Sequence, residues 1–223
     1  MRKVTNFIET LDDGPEVELD FEPINDEVLQ AKVGDQYVVA YLAQDDSYTN
    51  QSIEDHIGEG AGKLYSFHKD APKGDLQAGR DAMDNDEYAV LLACYSHSGE
   101  RWSISGEGHQ CQWDTSNQAG VWVPGSVLRE QLDSEGGTNL RKYCLQFLRT
   151  YNSIISGDVY GCVIQRFDEA GEQLGDDSVW GFIGYEYAEQ ALKTEFFDAA
   201  CAALRTDYDE AVRTQNGKQL ELV

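Results

Sequence analysis

The sequence predicts an α+β fold, a mainly antiparallel sheet carrying two long amphipathic helices and preceded by a loop-rich acidic β segment. Three observations predict it. Apolar residues recur at helical spacing over two long stretches of the second half. Short apolar runs bounded by turn residues lie between and before those stretches. Between residues 43 and 86 the composition turns to Asp, Ser, Gly, Asn and Lys, the mark of a loop-rich stretch.

Taken in order, Val17, Leu19 and Phe21 alternate with Glu16, Glu18, Asp20 and Glu22, the period of two of a strand with one acidic face. Residues 36–42 (QYVVAYL) read as a more buried strand. From 43 to 86 the expectation is loop, with helical turns near 52–57 and 75–83. Residues 88–95 (YAVLLACY) read as a strand, followed by short strands at 101–105 and 120–123. Pro124 and Ser126 open a short helix. Thr138 is the expected N-cap of a longer one, in which Leu140, Tyr143, Cys144, Phe147, Leu148, Tyr151, Ile154 and Ile155 share a face and which Gly157 ends. Residues 159–167 and 178–183 read as a hairpin around a turn at 168–171. A second long helix starts near Tyr185 and turns Ala188, Leu192, Phe196, Ala199, Ala203 and Leu204 toward the core. The expected organisation is an acidic strand- and loop-rich region over 1–86 and an α+β core domain over 87–223, without internal repeats.

The 223 residues include 41 acids against 17 bases, a net charge of −24. A protein that grips phosphates must neutralise them with Lys and Arg, so this balance argues against direct nucleic-acid binding. With 41% hydrophobic and 11% aromatic residues the chain is too apolar for a disordered acidic tail. No run approaches the roughly 20 apolar residues of a membrane span, and no apolar stretch near the start resembles a secretion signal. The expected location is therefore the cytoplasm. The charge is uneven: residues 91–160 carry a net −2, whereas 1–40, 41–90 and 161–223 carry −7, −7 and −8. Five cysteines, an odd number, argue against a disulfide framework.

Two stretches resemble a known group. Residues 95–124 contain Ser105-Gly106-Glu107-Gly108, Cys111-Gln112-Trp113-Asp114 and Gly120-Val121-Trp122-Val123. Residues 157–188 contain Gly157-Asp158-Val159-Tyr160-Gly161 and Asp177-Ser178-Val179-Trp180-Gly181-Phe182. They resemble small acidic proteins of unknown activity encoded by bacteriophages and integrative elements, over about 88–190. The resemblance implies a mobile-element gene acting in a bacterial cytoplasm and assigns no residue roles.

Cys94-x2-His97 and His109-x-Cys111 supply four ligands of the type zinc takes, but their spacing matches no standard zinc module. Cys111 with His97 or His109 as base and Asp114 as orienter has the residue types of a thiol nucleophile without a family signature. Gly106-Glu107-Gly108 lacks the context of a phosphate loop, and Asp84-Asn85-Asp86 lacks the glycine and terminal glutamate of an EF-hand. No cofactor or metal is expected.

The charge itself remains. Solubility and adaptation to high salt are the plain explanations. The sharper one is imitation of a polyanion: alternate residues on a strand lie about 6.8 Å apart, and each DNA strand presents a phosphate per roughly 3.4 Å. Rows of carboxylates can then occupy sites built for phosphates. Such a surface costs self-repulsion on folding, so its retention points to a use. The expected function is inhibition, without turnover, of a bacterial CRISPR or restriction complex through its basic groove. The expected contacts are Glu16, Glu18, Asp20, Glu22, Asp45, Asp46, Asp84, Asp86 and Glu87. The alternatives are a small metal- or thiol-dependent enzyme centred on His97, His109, Cys111 and Asp114, and an acidic scaffold for another basic partner. The long helices could also pair into a homodimer.

Overall fold

The computed structural model describes residues 9–10, 17–47, 53–68 and 75–220. Its fold is α+β, with the antiparallel strands divided between two sheets. The chain forms two units, residues 1–45 with 159–223 and residues 46–158. The boundary expected between 86 and 87 falls inside the second unit.

The first unit is built on the apolar strand β3 (Gln36–Gln44), six of whose nine residues are buried. β3 pairs on one side with β2 (Val28–Val33) and on the other with β8 (Val159–Phe167). The two-residue β1 (Glu9–Thr10) flanks β2, and β9 (Gln173–Ile183) closes the order β1-β2-β3-β8-β9. The β8–β9 turn is held by Asp168, whose Oδ1 accepts from the backbone N–H of Ala170 at 2.9 Å and of Glu172 at 2.8 Å. One face of this sheet is covered by α5 (Tyr185–Leu220), whose Ala188, Leu192, Phe196, Ala200 and Ala203 are buried against Ala31, Val38, Ala40, Leu42 and Ile164.

The second unit has the order β4-β7-β5-β6, with β4 Lys63–Ser66, β5 Val90–Ser96, β6 Glu100–Ile104 and β7 Thr115–Val123. Its helices are the short α1 (Ile53–Ile57), α2 (Asp75–Asn85), α3 (Ser126–Ser134) and α4 (Leu140–Ile155). α4 packs Cys144, Phe147 and Leu148 on Leu64, Leu92, Trp102 and Trp122. Gly79 of α2 lies against Tyr65, Phe67 and Val121, so Tyr65 and Val121 face away from α4. Asn152 of α4 closes the edge strand β6: its Oδ1 accepts from the Trp102 N–H at 2.8 Å and its Nδ2 donates to the Trp102 carbonyl at 2.8 Å.

Four expectations need correction. Residues 17–23 form no strand; the alternation is present, but the backbone N–H groups of Asp20 and Phe21 go to side chains. β4 lies where only loop was expected, and β2 lies in a stretch to which no element was assigned. β7 and β9 start earlier than expected, at Thr115 and Gln173. Thr138 does not cap α4; its hydroxyl donates to the Glu135 carbonyl and Asn139 stands at the N-cap.

Candidate functional site

The face of the first sheet away from α5 carries Val39, Tyr41, Ala43, Val163 and Phe167. No helix covers it among the described residues. Residues 17–23 lie over it instead, with Val17 and Leu19 packed down and Glu18, Asp20 and Glu22 exposed. A polar network beneath pins the segment. Tyr41, fully buried, donates its hydroxyl to Gln165 Oε1 at 2.9 Å. The same oxygen accepts from the Asp20 N–H at 3.3 Å, and Tyr41 Oη accepts from the Phe21 N–H at 3.2 Å. Burial raises the Tyr41 pKa, which keeps the phenol a donor. The carboxylates therefore stand on backbone held from below.

Beside them is an exposed aromatic pair. Phe21 meets Trp180 edge-on, ring centroids 5.1 Å apart, with 47% and 37% of the two residues accessible. The indole lies directly on Gly161, where a Cβ would approach Trp180 Cε3 to 2.2 Å, so only glycine admits it. Trp180 Nε1 donates to Ser178 Oγ at 3.0 Å. Sequence reasoning assigned no functional role to Phe21, Trp180, Tyr41 or Gln165. The stretches Gly157-Asp158-Val159-Tyr160-Gly161 and Ser178-Val179-Trp180-Gly181 were the available signal, but nothing in them places Gly161 under Trp180.

The predicted contact residues divide. Glu16 lies outside the described residues. Glu18, Asp20 and Glu22 are gathered around Phe21, although not with the regular spacing of a strand, because the chain bends at Asp20–Phe21. Asp45 is a correction: at 6% exposure it is buried at the end of β3, its N–H donating to the Val159 carbonyl at 3.0 Å. Asp46, Asp84 and Glu87 are exposed. Asp86 is a second correction, because it is already neutralised. Arg129 donates to both of its carboxylate oxygens, Nη1 to Oδ1 at 3.0 Å and Nη2 to Oδ2, and holds its pKa below the usual carboxylate value.

In the second unit the 105–114 connection runs back along the sheet, from the Ser105 N–H on the Leu91 carbonyl to the Asp114 carbonyl on the Ser96 N–H. Arg141 of α4 fastens it by donating to both Glu107 oxygens at 3.0 and 2.8 Å. This brings Asp114 Oδ2 within 3.5 Å of Cys111 Sγ and 3.4 Å of His97 Nδ1. His109 meets Tyr95 edge-on at 4.9 Å. Thiol and imidazole thus share one carboxylate oxygen. No hydrogen bond joins Cys111 to His97 or His109, so the thiol–imidazole contact that a nucleophile and its base need is not formed among these residues. Cys94 is buried in β5, its pKa pushed up to about 11 by desolvation. Among the described residues no three of His, Cys, Asp and Glu converge to hold a metal ion.

No helix among the described residues is long and apolar enough to cross a membrane. In comparison with known proteins, the chain matches no family model, no curated protein and no solved structure.

Proposed function

We propose that this chain is a mobile-element-encoded, non-enzymatic inhibitor that occupies the basic nucleic-acid-binding surface of a bacterial CRISPR or restriction complex in the host cytoplasm. The observation that carries the reading is the pinned acidic segment. Solubility requires only that charge be exposed; it does not require the backbone of Asp20 and Phe21 to be tied to buried Gln165 and Tyr41. Preorganised carboxylates lose little freedom when Lys and Arg residues meet them. Phe21 and Trp180 beside them are aromatic anchors of the kind that dominate interface energy. The net charge of −24 adds fast, salt-sensitive association with a basic groove. The resemblance to bacteriophage and integrative-element proteins supplies the genetic setting.

The test is retention of a bacterial nuclease complex on the immobilised protein near physiological salt, with and without excess duplex DNA, repeated with Glu18→Gln/Asp20→Asn/Glu22→Gln. Retention that DNA displaces and that falls at least tenfold with the triple variant is expected. Retention indifferent to both would overturn groove occupation and favour a scaffold for another basic partner.

A further inference from the structure

A second acidic feature lies in the other unit and is concave. At the end of the sheet where the β5–β6 turn meets the 105–114 connection, a cleft of about 500 Å³ is lined by Trp113, Glu100, Asp114, Ser116, Gln118 and the buried Trp102, among others. Trp113 is 86% exposed, the most accessible large apolar side chain among the described residues. An indole left in water beside a cleft of this size is an unused apolar surface. Two carboxylates line the same cleft and, among the described residues, no lysine or arginine does. The contacts of Asp114 to Cys111 and His97 both fall on Oδ2, which leaves Oδ1 as an acceptor. An aromatic face, two carboxylates and neutral acceptors suit a planar cation with several donors. A guanidinium stacks on indole and donates in a fork to carboxylates, and it is less strongly hydrated than an ammonium group.

We infer that this cleft receives an arginine side chain of the basic partner, stacked on Trp113 and bonded to Glu100 and Asp114. The inference rests on the proposed function and names the residue type that the partner presents to the second unit.

The full chain is titrated with N-acetyl-arginine N-methylamide while the indole N–H signals of its four tryptophans are followed by NMR. The Trp113 signal is assigned by its loss in Trp113→Ala. A saturable shift of that signal is expected, at least tenfold weaker with the isosteric but neutral citrulline compound, weaker with the lysine compound, and several-fold weaker in Glu100→Gln. Glu100 and Trp113 are both exposed, so these variants keep the fold. Absence of a saturable shift, an equal response to citrulline, or indifference to Glu100→Gln would overturn the inference. Because Glu18, Asp20 and Glu22 lie in the other unit, their triple variant leaves this titration unchanged. The retention assay with that variant therefore reads the proposed function separately.

Discussion

In the second unit both faces of the sheet meet helices, α4 on one side and α2 on the other, and Asn152 closes the β6 edge. In the first unit α5 covers one face, the acidic segment 17–23 covers the other, and β9 ends the sheet order with 11 residues. A helix satisfies its own backbone and can shield a sheet with a purely apolar face. An extended segment cannot, and it borrows Gln165 and Tyr41 to do so. What it gains is position: its outward side chains face solvent from a fixed backbone, whereas the helix-covered sheet hides its centre. The two tryptophans express the difference, Trp122 with no exposure in the second unit and Trp180 more than a third exposed in the first.

The sharpest way to break this comparison is to remove each indole in turn. Trp122→Ala should cost about 3–5 kcal/mol in denaturant unfolding, as for large-to-small core changes, whereas Trp180→Ala should cost no more than about 1 kcal/mol and reduce partner retention instead. Equal stability losses would mean that Trp180 is a core residue. Gln165→Leu should come next, at about 1–3 kcal/mol, because it leaves the buried Tyr41 hydroxyl and the Asp20 N–H without their acceptor. Hydrogen exchange at Asp20 and Phe21 should then accelerate while exchange in β5 does not change. If it does not accelerate, the segment is held by its apolar contacts alone.

The Asp86–Arg129 pair sharpens the comparison from the other side, because it is an acid that the second unit consumes internally. Asp86→Asn should cost about 1–2 kcal/mol at neutral pH. Its folded pKa is depressed, so the stabilisation is present above the ordinary carboxylate value of 3.8 and is lost as pH falls through the lower folded value. Unfolding curves of the two proteins should converge in that acid window; a difference that persists below it would assign the effect to packing. The smallest effect is expected from Asn152→Ala, about 1 kcal/mol, read as faster exchange of the Trp102 N–H.

Much of the fold is legible because its signals are local. α4 repeats its apolar face every three or four residues and stops at Gly157, whose φ is 73°. β8 is a largely apolar run between a glycine and an Asx turn. The missed strands are those whose pairing owes little to their side chains. β4 has four residues, and the first halves of β7 and β9, Thr-Ser-Asn-Gln and Gln-Leu-Gly-Asp-Asp, read as turns although their backbones pair with β5 and β8. In 17–23 the period of two marks Val17 and Leu19 as inward, but it does not show that Phe21 stays half exposed or whether the N–H groups find a strand or buried side chains. Asp45 and Asp86 were misplaced among the exposed acids for the same reason. That Asp86 meets Arg129, 43 positions away, and that Asp45 is buried behind β3 are properties of tertiary structure.

The hydrogen bond from the Asp45 N–H to the Val159 carbonyl marks where the chain leaves the first sheet and where it returns, on neighbouring strands. Residues 46–158 are thus inserted at the point where a short hairpin turn would otherwise join β3 to β8. Closing a flexible excursion of that length instead of a four-residue turn costs about 3 kcal/mol in chain entropy, a cost reduced once the inserted residues have folded by themselves. During synthesis β3, the most apolar strand of its sheet, emerges long before β8 and keeps one edge open throughout the making of the second unit. The stretch most prone to pair with the wrong chain is therefore the one that waits longest for its partner, and rapid folding of the inserted unit shortens that wait.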